Sequence, residues 1–232
     1  MIGMSEQNAK TDMENKVYVI GCAENVPEEE YRRYLNPMKT RRYGRLLKRA
    51  LATALKVIGE TGVEHPDAII NGTALGCLEE TEYLLNGLAL EGEEVSMPTH
   101  FMQSTHNTVA SLIGIYTHTH GYNCTYSHRK ISFECAMQDA FIQMKVGKIR
   151  TALVCANDEL TPRVKKIFND LGFGKELVDG NSVPMVGVAT DRSVAVMLST
   201  EPGEHPLAEI TAVEIWHGVG KEDTAEIKYT AL

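Results

Sequence analysis

The chain has 232 residues, of which 43% are hydrophobic, 23% charged and 6% aromatic, and its formal net charge is -8. This length suits one large α/β domain with a buried core, and the excess of acidic residues argues against a nucleic-acid-binding surface. No apolar run reaches the roughly 18 residues of a membrane span, and five cysteines without a CxxC pair predict reduced thiols in a cytoplasmic protein.

The first third of the chain predicts alternating strands and helices. Residues 1–16 are polar and lack hydrophobic periodicity, which predicts a disordered lead. A β-branched run that ends at Gly21 predicts the first strand, and apolar residues at helical spacing predict a helix from about Tyr43 to Glu60. A second strand is predicted from Asp67 to Gly72, followed by an amphipathic helix from Glu79 to Leu90.

The rest of the chain continues this alternation and ends in two consecutive strands. The predicted elements are a helix from Ser104 to about His118, a strand from Asn123 to Ser127, a helix from Ile131 to Val146, and strands at Thr151 to Ala156, Ser193 to Ser199 and Ala208 to Trp216. Such an order predicts a mixed central sheet with helices on its faces.

Five of the eight histidines lie close together in the sequence, which raises the possibility of a metal site. They are His100, His106, His118, His120 and His128. His118 and His120 are two residues apart near a helix end, so their side chains point in different directions. No carboxylate or cysteine stands at the usual ligand spacing from them. We therefore predict no metal and no cofactor.

The junction between the predicted strand at Asn123 to Ser127 and the next helix is the most informative candidate site. Its sequence is Ser-His-Arg-Lys-Ile-Ser, over residues 127–132. In α/β proteins a nucleophile or oxyanion donors often lie at such a junction. Adjacent cations at a helix start oppose the helix dipole. Three explanations for these cations stay open: they are solvated, they bind an anion, or a partner chain covers them.

The order and spacing of motifs from Lys16 to Gly218 resemble the N-terminal half of β-ketoacyl synthases. These enzymes adopt the thiolase fold and condense acyl chains held on acyl carrier protein. The resembling segments are Met97 to Phe101 and Ser104 to Ala110, before the active site, and Ser132, Ala136, Ala140 and Gly147, in the helix that carries the nucleophile. The resemblance implies an α/β, thiolase-like half at residues 17–220, followed by a C-terminal tail at 221–232.

The resemblance also bears on catalysis, because it places Lys130 where active ketosynthases have a cysteine. A lysine cannot carry an acyl chain as a thioester. Candidates for an atypical nucleophile or its helper are His128, Ser132 and Cys135. In the family, two histidines and a lysine come from a second half that extends beyond this length. A non-catalytic subunit is therefore implied.

Contacts with substrate and partners are implied in the same way. Phe101, Asn107 and Phe133 fall at the edge of an acyl tunnel, while Thr125 and Tyr126 fall on the strand that forms the dimer. The densest positive run is predicted to dock an acidic carrier protein, although such a face is more often simply solvated. This run consists of Arg41, Arg42, Arg45, Lys48 and Arg49.

Truncated ketosynthase-like proteins of this kind resemble the chain length factors of bacterial clusters for aryl polyenes and flexirubin-type pigments. The implied role is to pair with a catalytic ketosynthase and acyl carrier protein and to shape the tunnel by packing. Two alternatives stay open. One is a stand-alone acyltransferase or condensing enzyme with an atypical nucleophile, and the other is a homodimeric acyl-binding protein.

Overall fold

A computed structural model describes residues 15–92, 97–170, 191–220 and 222–232. Its strands are β1 Val17–Glu24, β2 Ala68–Gly72, β3 Tyr122–Tyr126, β4 Thr151–Asp158, β5 Arg192–Ser199, β6 Ala208–Trp216 and β7 Thr224–Ala231. They form a seven-stranded sheet in the order β3-β2-β4-β5-β1-β6-β7. The disordered lead predicted at residues 1–16 lies mostly outside the described residues.

The sheet is mixed, as the sequence predicts. Strand β2 runs parallel to both of its neighbours, β3 and β4. The remaining neighbours pair antiparallel, from β4 across β5, β1 and β6 to β7. The parallel strands β2, β3 and β4 therefore all end at one edge of the sheet, where antiparallel β5 begins.

Helices cover both faces of this sheet, which confirms the predicted α/β architecture. The helices are α1 Tyr31–Tyr34, α2 Pro37–Thr40, α3 Arg45–Thr61, α4 Leu78–Glu91, α5 Pro98–Ser104, α6 Thr108–Thr117, α7 Ser132–Lys145 and α8 Pro162–Asp170. On one face, Leu47 and Leu51 of α3 and Ile113 of α6 are buried in the same core as Ile69 and Leu153 of the sheet. The apolar stripe at helical spacing is what directs α3 onto the sheet.

Helix α7 covers the opposite face and approaches the sheet very closely at its first turn. Ala136 and Ala140 share a buried core with Ile70 and Val154. At Gly72, the last residue of β2, an added Cβ would lie 2.5 Å from the carbonyl oxygen of Ser132. Because Gly72, Ala136 and Ala140 are small, α7 packs close against the sheet. Its N-terminus therefore lies beside the end of β2.

Two elements differ from the sequence-based prediction. Residues 224–231, assigned to a C-terminal tail, form β7, in which only Ala225 and Ile227 are partly buried; this is too short an alternation to recognise as a strand. The helix predicted from Ser104 to about His118 begins only at Thr108, because Thr105 is extended between α5 and α6. The Thr108 hydroxyl donates to the Met102 carbonyl, a local bond that competes with helix continuation.

Candidate functional site

The candidate site lies at the edge where the parallel strands end, the usual position for sites in α/β sheets. Residues 127–131 connect the end of β3 to the start of α7, and we call this segment the corner. Lys130 lies two residues before Ser132, the first residue of α7. The structure therefore places Lys130 at a strand-to-helix junction.

The backbone of the corner is held by the Ser132 hydroxyl. This oxygen accepts the amide hydrogen of His128 at 2.8 Å, and the hydroxyl donates to the carbonyl oxygen of Arg129 at 2.7 Å. Arg129 itself is in the left-handed region, with a φ of 51°. Ser132 is buried and has both bonds within the turn. In this geometry it shapes the corner and is not free to attack a substrate.

Acidic side chains from the loop between β6 and β7 pair with the cations of the corner. The Lys130 ammonium pairs with Glu222. Nε2 of His128 lies 2.7 Å from Oδ2 of Asp223, and Nδ1 of His217 pairs with the other oxygen of the same carboxylate. The hydrogen bond from His128 is the main reason that the pKa of Asp223 lies below its usual range. Lys130 and His128 are therefore both bound by acidic side chains of this loop.

The cysteines are free thiols, and none of them occupies the corner. Cys135 lies about one turn into α7, where burial, followed by the nearby acids Glu134 and Asp223, raises the pKa of its thiol. Burial likewise raises the pKa of Cys155 to about 12. Thiols with raised pKa values are poor nucleophiles near neutral pH.

A small cleft of about 200 Å³ lies beside the corner. Its walls include Arg129, Lys130 and Phe133 from the corner and α7, and Asp158 and Arg192 from the sheet edge. Pockets that enclose a small-molecule ligand usually have a volume of roughly 300 to 1,000 Å³. The cleft alone is too small to hold a long acyl chain.

Asp158, the last residue of β4, anchors the loop that follows β2. Its carboxylate accepts the Thr73 hydroxyl hydrogen at 2.8 Å and the amide hydrogens of Ala74, Leu75 and Gly76 at 3.0, 2.8 and 3.3 Å. Burial raises the pKa of Asp158, and these hydrogen bonds offset only part of that effect. The ends of the two parallel strands are thereby tied together at the site.

Glu159 is a second buried acid at the same edge, with a side chain that is 1% exposed. One carboxylate oxygen accepts the amide hydrogen of Glu79 at 2.9 Å, at the first turn of α4. The other oxygen is buried without a hydrogen bond, 3.8 Å from a guanidinium nitrogen of Arg45. Burial is the main reason that the pKa of Glu159 is raised to about 7.

The raised pKa of Glu159 predicts that the protein loses stability as pH rises. The folded chain holds this proton more tightly than the unfolded chain, so the free energy of unfolding falls between the unfolded pKa of 4.5 and the folded pKa of about 7. At about 1.4 kcal/mol per pKa unit, the loss is on the order of a few kcal/mol. We expect Glu159→Gln to remove most of this pH dependence in urea unfolding at several pH values, whereas the exposed control Glu60→Gln retains it. An unchanged pH slope in Glu159→Gln would refute the assignment.

The basic run predicted to dock a carrier protein is only partly available at the surface. Arg45 and Arg49 each donate to the Asp191 carboxylate at 2.7 Å, and Arg49 also donates to the Asp158 carbonyl oxygen at 2.8 Å. Burial would raise the pKa of Asp191, but the two guanidinium groups outweigh it and hold the pKa below its usual range. Arg41 and Arg42 are exposed and Lys48 is half-buried.

An apolar groove of about 650 Å³ lies between the start of α3 and helices α5 and α6. The structure brings Phe101 and Asn107 together in its wall, along with Met102, Leu112 and Ile115. The side chains of Phe101, Met102 and Ile115 are 61%, 71% and 72% exposed. Large apolar residues that share an exposed groove indicate a surface that binds a ligand or another protein.

The other predicted tunnel and interface residues lie away from this groove. Thr125 and Tyr126 are on β3, the edge strand, and burial raises the pKa of Tyr126 to about 12. Phe133 lies on α7, packed with Tyr126 against the core on the opposite face of the sheet from α6. Within one chain, the predicted tunnel residues therefore form two separate groups.

Of the histidines that lie close together in the sequence, His100 and His128 bind different acids. His100 pairs through Nδ1 with Oε2 of Glu80 at 2.6 Å, and His128 pairs with Asp223. Over residues 15–92, 97–170, 191–220 and 222–232, no group of three or more histidine, cysteine or acidic side chains is arranged to hold a metal ion. In the same part of the chain, no helix is both long and apolar enough to cross a membrane.

Sequence reasoning missed the acidic partners at this site. Glu222 and Asp223 were assigned to a tail, yet they hold Lys130 and His128 from more than 90 residues away. Asp191 likewise joins two arginines of α3 across long separations in the chain. The sequence did offer one signal: the cations of the corner and of α3 have few acidic residues near them in the chain. This indicates that they need a charged partner but does not say which residue provides it.

Comparisons with known proteins identify the family and support the fold. A family model for the N-terminal domain of β-ketoacyl synthases matches residues 17–199. No curated protein matches the chain by sequence. The fold is similar to the ishigamide ketosynthase/chain length factor, with 15% identity, a TM-score of 0.68, and coverage of 87% of this chain and 67% of that chain.

Two further solved structures share the fold. The ketosynthase ApeO in complex with its chain length factor ApeC from Xenorhabdus doucetiae gives 19% identity, a TM-score of 0.58, and coverage of 81% of this chain and 80% of that chain. AntDE:AntF, a type II PKS acyl-carrier protein in complex with its ketosynthase bound to the hexaketide, gives 12% identity, a TM-score of 0.71, and coverage of 88% and 70%. At these identities the likeness is one of fold.

Proposed function

Because the chain belongs to the β-ketoacyl synthase N-terminal domain family, we propose that it is a non-catalytic, chain-length-factor-like subunit of a cytoplasmic, carrier-protein-dependent pathway. The observation that carries this proposal is Lys130 at the corner, paired with Glu222. The family resemblance places the nucleophilic cysteine at this position. A lysine side chain has no sulfur atom, so it cannot form the thioester that condensation requires.

The surroundings of the corner argue against an atypical nucleophile. The Ser132 hydroxyl is occupied by two backbone bonds, and burial raises the pKa of the Cys135 thiol. The His128 imidazole is bound to Asp223 and, within the described residues, makes no hydrogen bond to a candidate nucleophile. The three candidates, Ser132, Cys135 and His128, are therefore already bound or deactivated.

A catalytic ketosynthase is the proposed partner, and two features support a contact with it. β3 is at the edge of the sheet that the described residues form, and an edge strand can pair with a strand from another chain. The apolar groove with Phe101 and Asn107 leaves large side chains exposed. We propose that the partner covers both and that the groove borders the acyl tunnel. An aryl polyene pathway, with its acyl chain on a carrier protein, is the proposed setting.

The direct test measures activity with and without a ketosynthase partner. Alone, the chain is expected neither to accept an acyl group from acyl carrier protein nor to release carbon dioxide from a malonyl-loaded carrier. Co-expressed with a ketosynthase that has an intact cysteine, it is expected to purify as a complex and to support condensation. Turnover by the chain alone that Lys130→Ala abolishes would overturn the proposal in favour of an atypical enzyme.

Phe101→Ala tests the proposed border of the tunnel in the active complex. Enlarging the groove should favour longer products, because a single methylene group in an apolar pocket is worth about 1–3 kcal/mol of discrimination. A several-fold rise in the ratio of longer to shorter acyl products, measured by mass spectrometry, is expected. Met38→Ala removes another exposed apolar side chain that does not line the groove and should leave the ratio unchanged.

The apolar groove also favours a second candidate, a homodimeric acyl-binding protein. Native mass spectrometry of the chain purified alone distinguishes the two. A dimer with bound acyl chain would support this candidate, whereas a ligand-free chain that acquires activity with a ketosynthase supports the chain-length-factor role.

A further inference from the structure

Helix α5 forms one wall of the apolar groove, yet within the described structure no apolar side chain of this helix is buried. Phe101 and Met102 line the groove and are 61% and 71% exposed. The buried side chain of α5 is that of Gln103, which is 7% exposed. A helix normally packs on a protein through a buried apolar face. The position of α5 therefore depends on polar contacts.

The Gln103 amide joins this wall of the groove to the opposite one. Its Oε1 accepts the amide hydrogen of Gly44 at 2.9 Å, and its Nε2 donates to the carbonyl oxygen of Arg42 at 2.9 Å. These two backbone groups lie on either side of Tyr43, and Arg42 and Tyr43 both line the groove. The donor and the acceptor of one side-chain amide are both used. Together the two bonds fix the distance between α5 and the residues that precede α3.

A second set of contacts attaches α5 to α4, away from the groove. Nδ1 of His100 lies 2.6 Å from Oε2 of Glu80, and the imidazole packs on the ring of Tyr83 with centroids 5.3 Å apart. Glu80 and Tyr83 belong to α4. Gly44 contacts the same acid, since a Cβ added there would lie 2.5 Å from Oε1 of Glu80. These contacts hold α5 against α4, and the Gln103 amide holds it at a set distance from the start of α3.

We propose that Gln103 is a positioning residue for chain-length specificity, because its amide sets the width of the groove at Phe101 and Met102. The groove has a volume of about 650 Å³, within the range of pockets that enclose small-molecule ligands. A displacement of α5 moves both apolar side chains and changes the acyl chain that fits between the walls. This effect on acyl chains rests on the proposed function of the groove, whereas the position of α5 can be measured in the chain alone.

Gln103→Met is the first test, because methionine is similar in length and volume but makes neither hydrogen bond. In residue-resolved hydrogen exchange on the full chain, the amides of Gly44 and Phe101 are expected to exchange about tenfold faster than in wild type, the range of one lost hydrogen bond. The Gly44 amide loses its acceptor, and the Phe101 amide, which donates to the Met97 carbonyl at 2.9 Å, reports on the attachment of α5. The amide of Leu153, in the buried strand β4, is the reference for global unfolding.

Gln138→Met is the matched control for this substitution. Gln138 lies on α7, on the opposite face of the sheet, and its side-chain amide donates to the carbonyl oxygen of Val213 at 3.2 Å. The control therefore also loses a hydrogen bond of a partly buried glutamine, but it should leave the exchange rates of Gly44 and Phe101 unchanged. Wild-type exchange at both amides in Gln103→Met would overturn the proposal.

Gln103→Glu is a second variant that separates the two hydrogen bonds. A carboxylate keeps an acceptor for the Gly44 amide but has no hydrogen to donate to the Arg42 carbonyl. Exchange should therefore be accelerated more at Phe101 than at Gly44. Wild-type exchange at Phe101 in this variant would show that the bond to Arg42 does not hold α5, which contradicts the proposed role of the amide as a link with two bonds.

The acyl products of the active complex supply the specificity readout. With Gln103→Met we expect the ratio of longer to shorter products, measured by mass spectrometry, to rise several-fold, because discrimination by an apolar pocket depends on how closely its walls fit the chain. Gln138→Met should keep the wild-type ratio. An unchanged ratio in Gln103→Met, in an active complex whose α5 exchanges faster, would overturn the role in specificity. If the wild-type complex makes no product, the proposed function fails, and the exchange rates alone decide whether Gln103 positions α5.

Discussion

Replacement of Gly72 by alanine is expected to be among the most damaging single changes in this protein. The added Cβ would lie 2.5 Å from the carbonyl oxygen of Ser132 and 2.6 Å from the amide nitrogen of Phe133. Both contacts are with backbone at the start of α7, so no flexible side chain can move aside. We expect a loss of about 3 kcal/mol or more in the free energy of unfolding, because overpacking a closely packed site forces backbone shifts. Urea unfolding monitored by circular dichroism measures it.

Gly59→Ala is the matched control for this experiment. Gly59 lies within α3, and an added Cβ there would meet no atom within 4 Å. Alanine is favoured over glycine in a helix, so this variant should be more stable by about 0.5–1 kcal/mol. Equal changes in the free energy of unfolding at the two positions would show that α7 is not closely packed against Gly72.

Asp158→Ala is expected to destabilise the protein by about 4 kcal/mol, because hydrogen bonds to a charged group contribute about 1.5–3 kcal/mol each and several are lost together. The carboxylate accepts hydrogen bonds from three consecutive amides, at Ala74, Leu75 and Gly76, and from the Thr73 hydroxyl. Removing it leaves the amides of Ala74 and Leu75 without their partner, whereas the Gly76 amide keeps its 2.9 Å hydrogen bond to the Thr73 hydroxyl. Chemical denaturation gives the size of the loss.

Asp158→Asn separates the role of hydrogen bonding from that of the space the side chain fills. Asparagine keeps one acceptor oxygen but presents an amide group to backbone donors, so an intermediate loss is expected. Hydrogen exchange should show faster exchange at Ala74 and Leu75 in both variants. Unaltered exchange there, together with full stability, would mean that the loop is held by other contacts.

Helices and strands with a regular apolar pattern could be predicted from the sequence, because such patterns are short-range. The apolar stripe of α3 and the uninterrupted apolar run of β4 predict their elements to within a few residues. Strand β7 lacks such a short-range pattern, and the sequence analysis therefore missed it. Only Ala225 and Ile227 face inward, and the charged neighbours Glu226 and Lys228 are typical of an exposed edge.

At the candidate site, too, local patterns predicted some features and could not predict others. The order of motifs placed Lys130 at a strand-to-helix junction, which the structure confirms. The acids that hold Lys130 and His128 come from a loop more than 90 residues further along the chain. No local pattern relates these positions, because the antiparallel pairing of β6 with β1 and of β7 with β6 is what carries the loop to the corner.

The sequence by itself determined the α/β class, the mixed sheet, the family and the absence of a cysteine at the junction, because all of these follow from residue type and spacing along the chain. Only the tertiary structure decided which charges are paired. It showed that Arg45 and Arg49 are bound to Asp191 and that Lys130 is bound to Glu222. An ion pair needs its partners within a few ångströms, and sheet topology brings together residues that are distant along the chain.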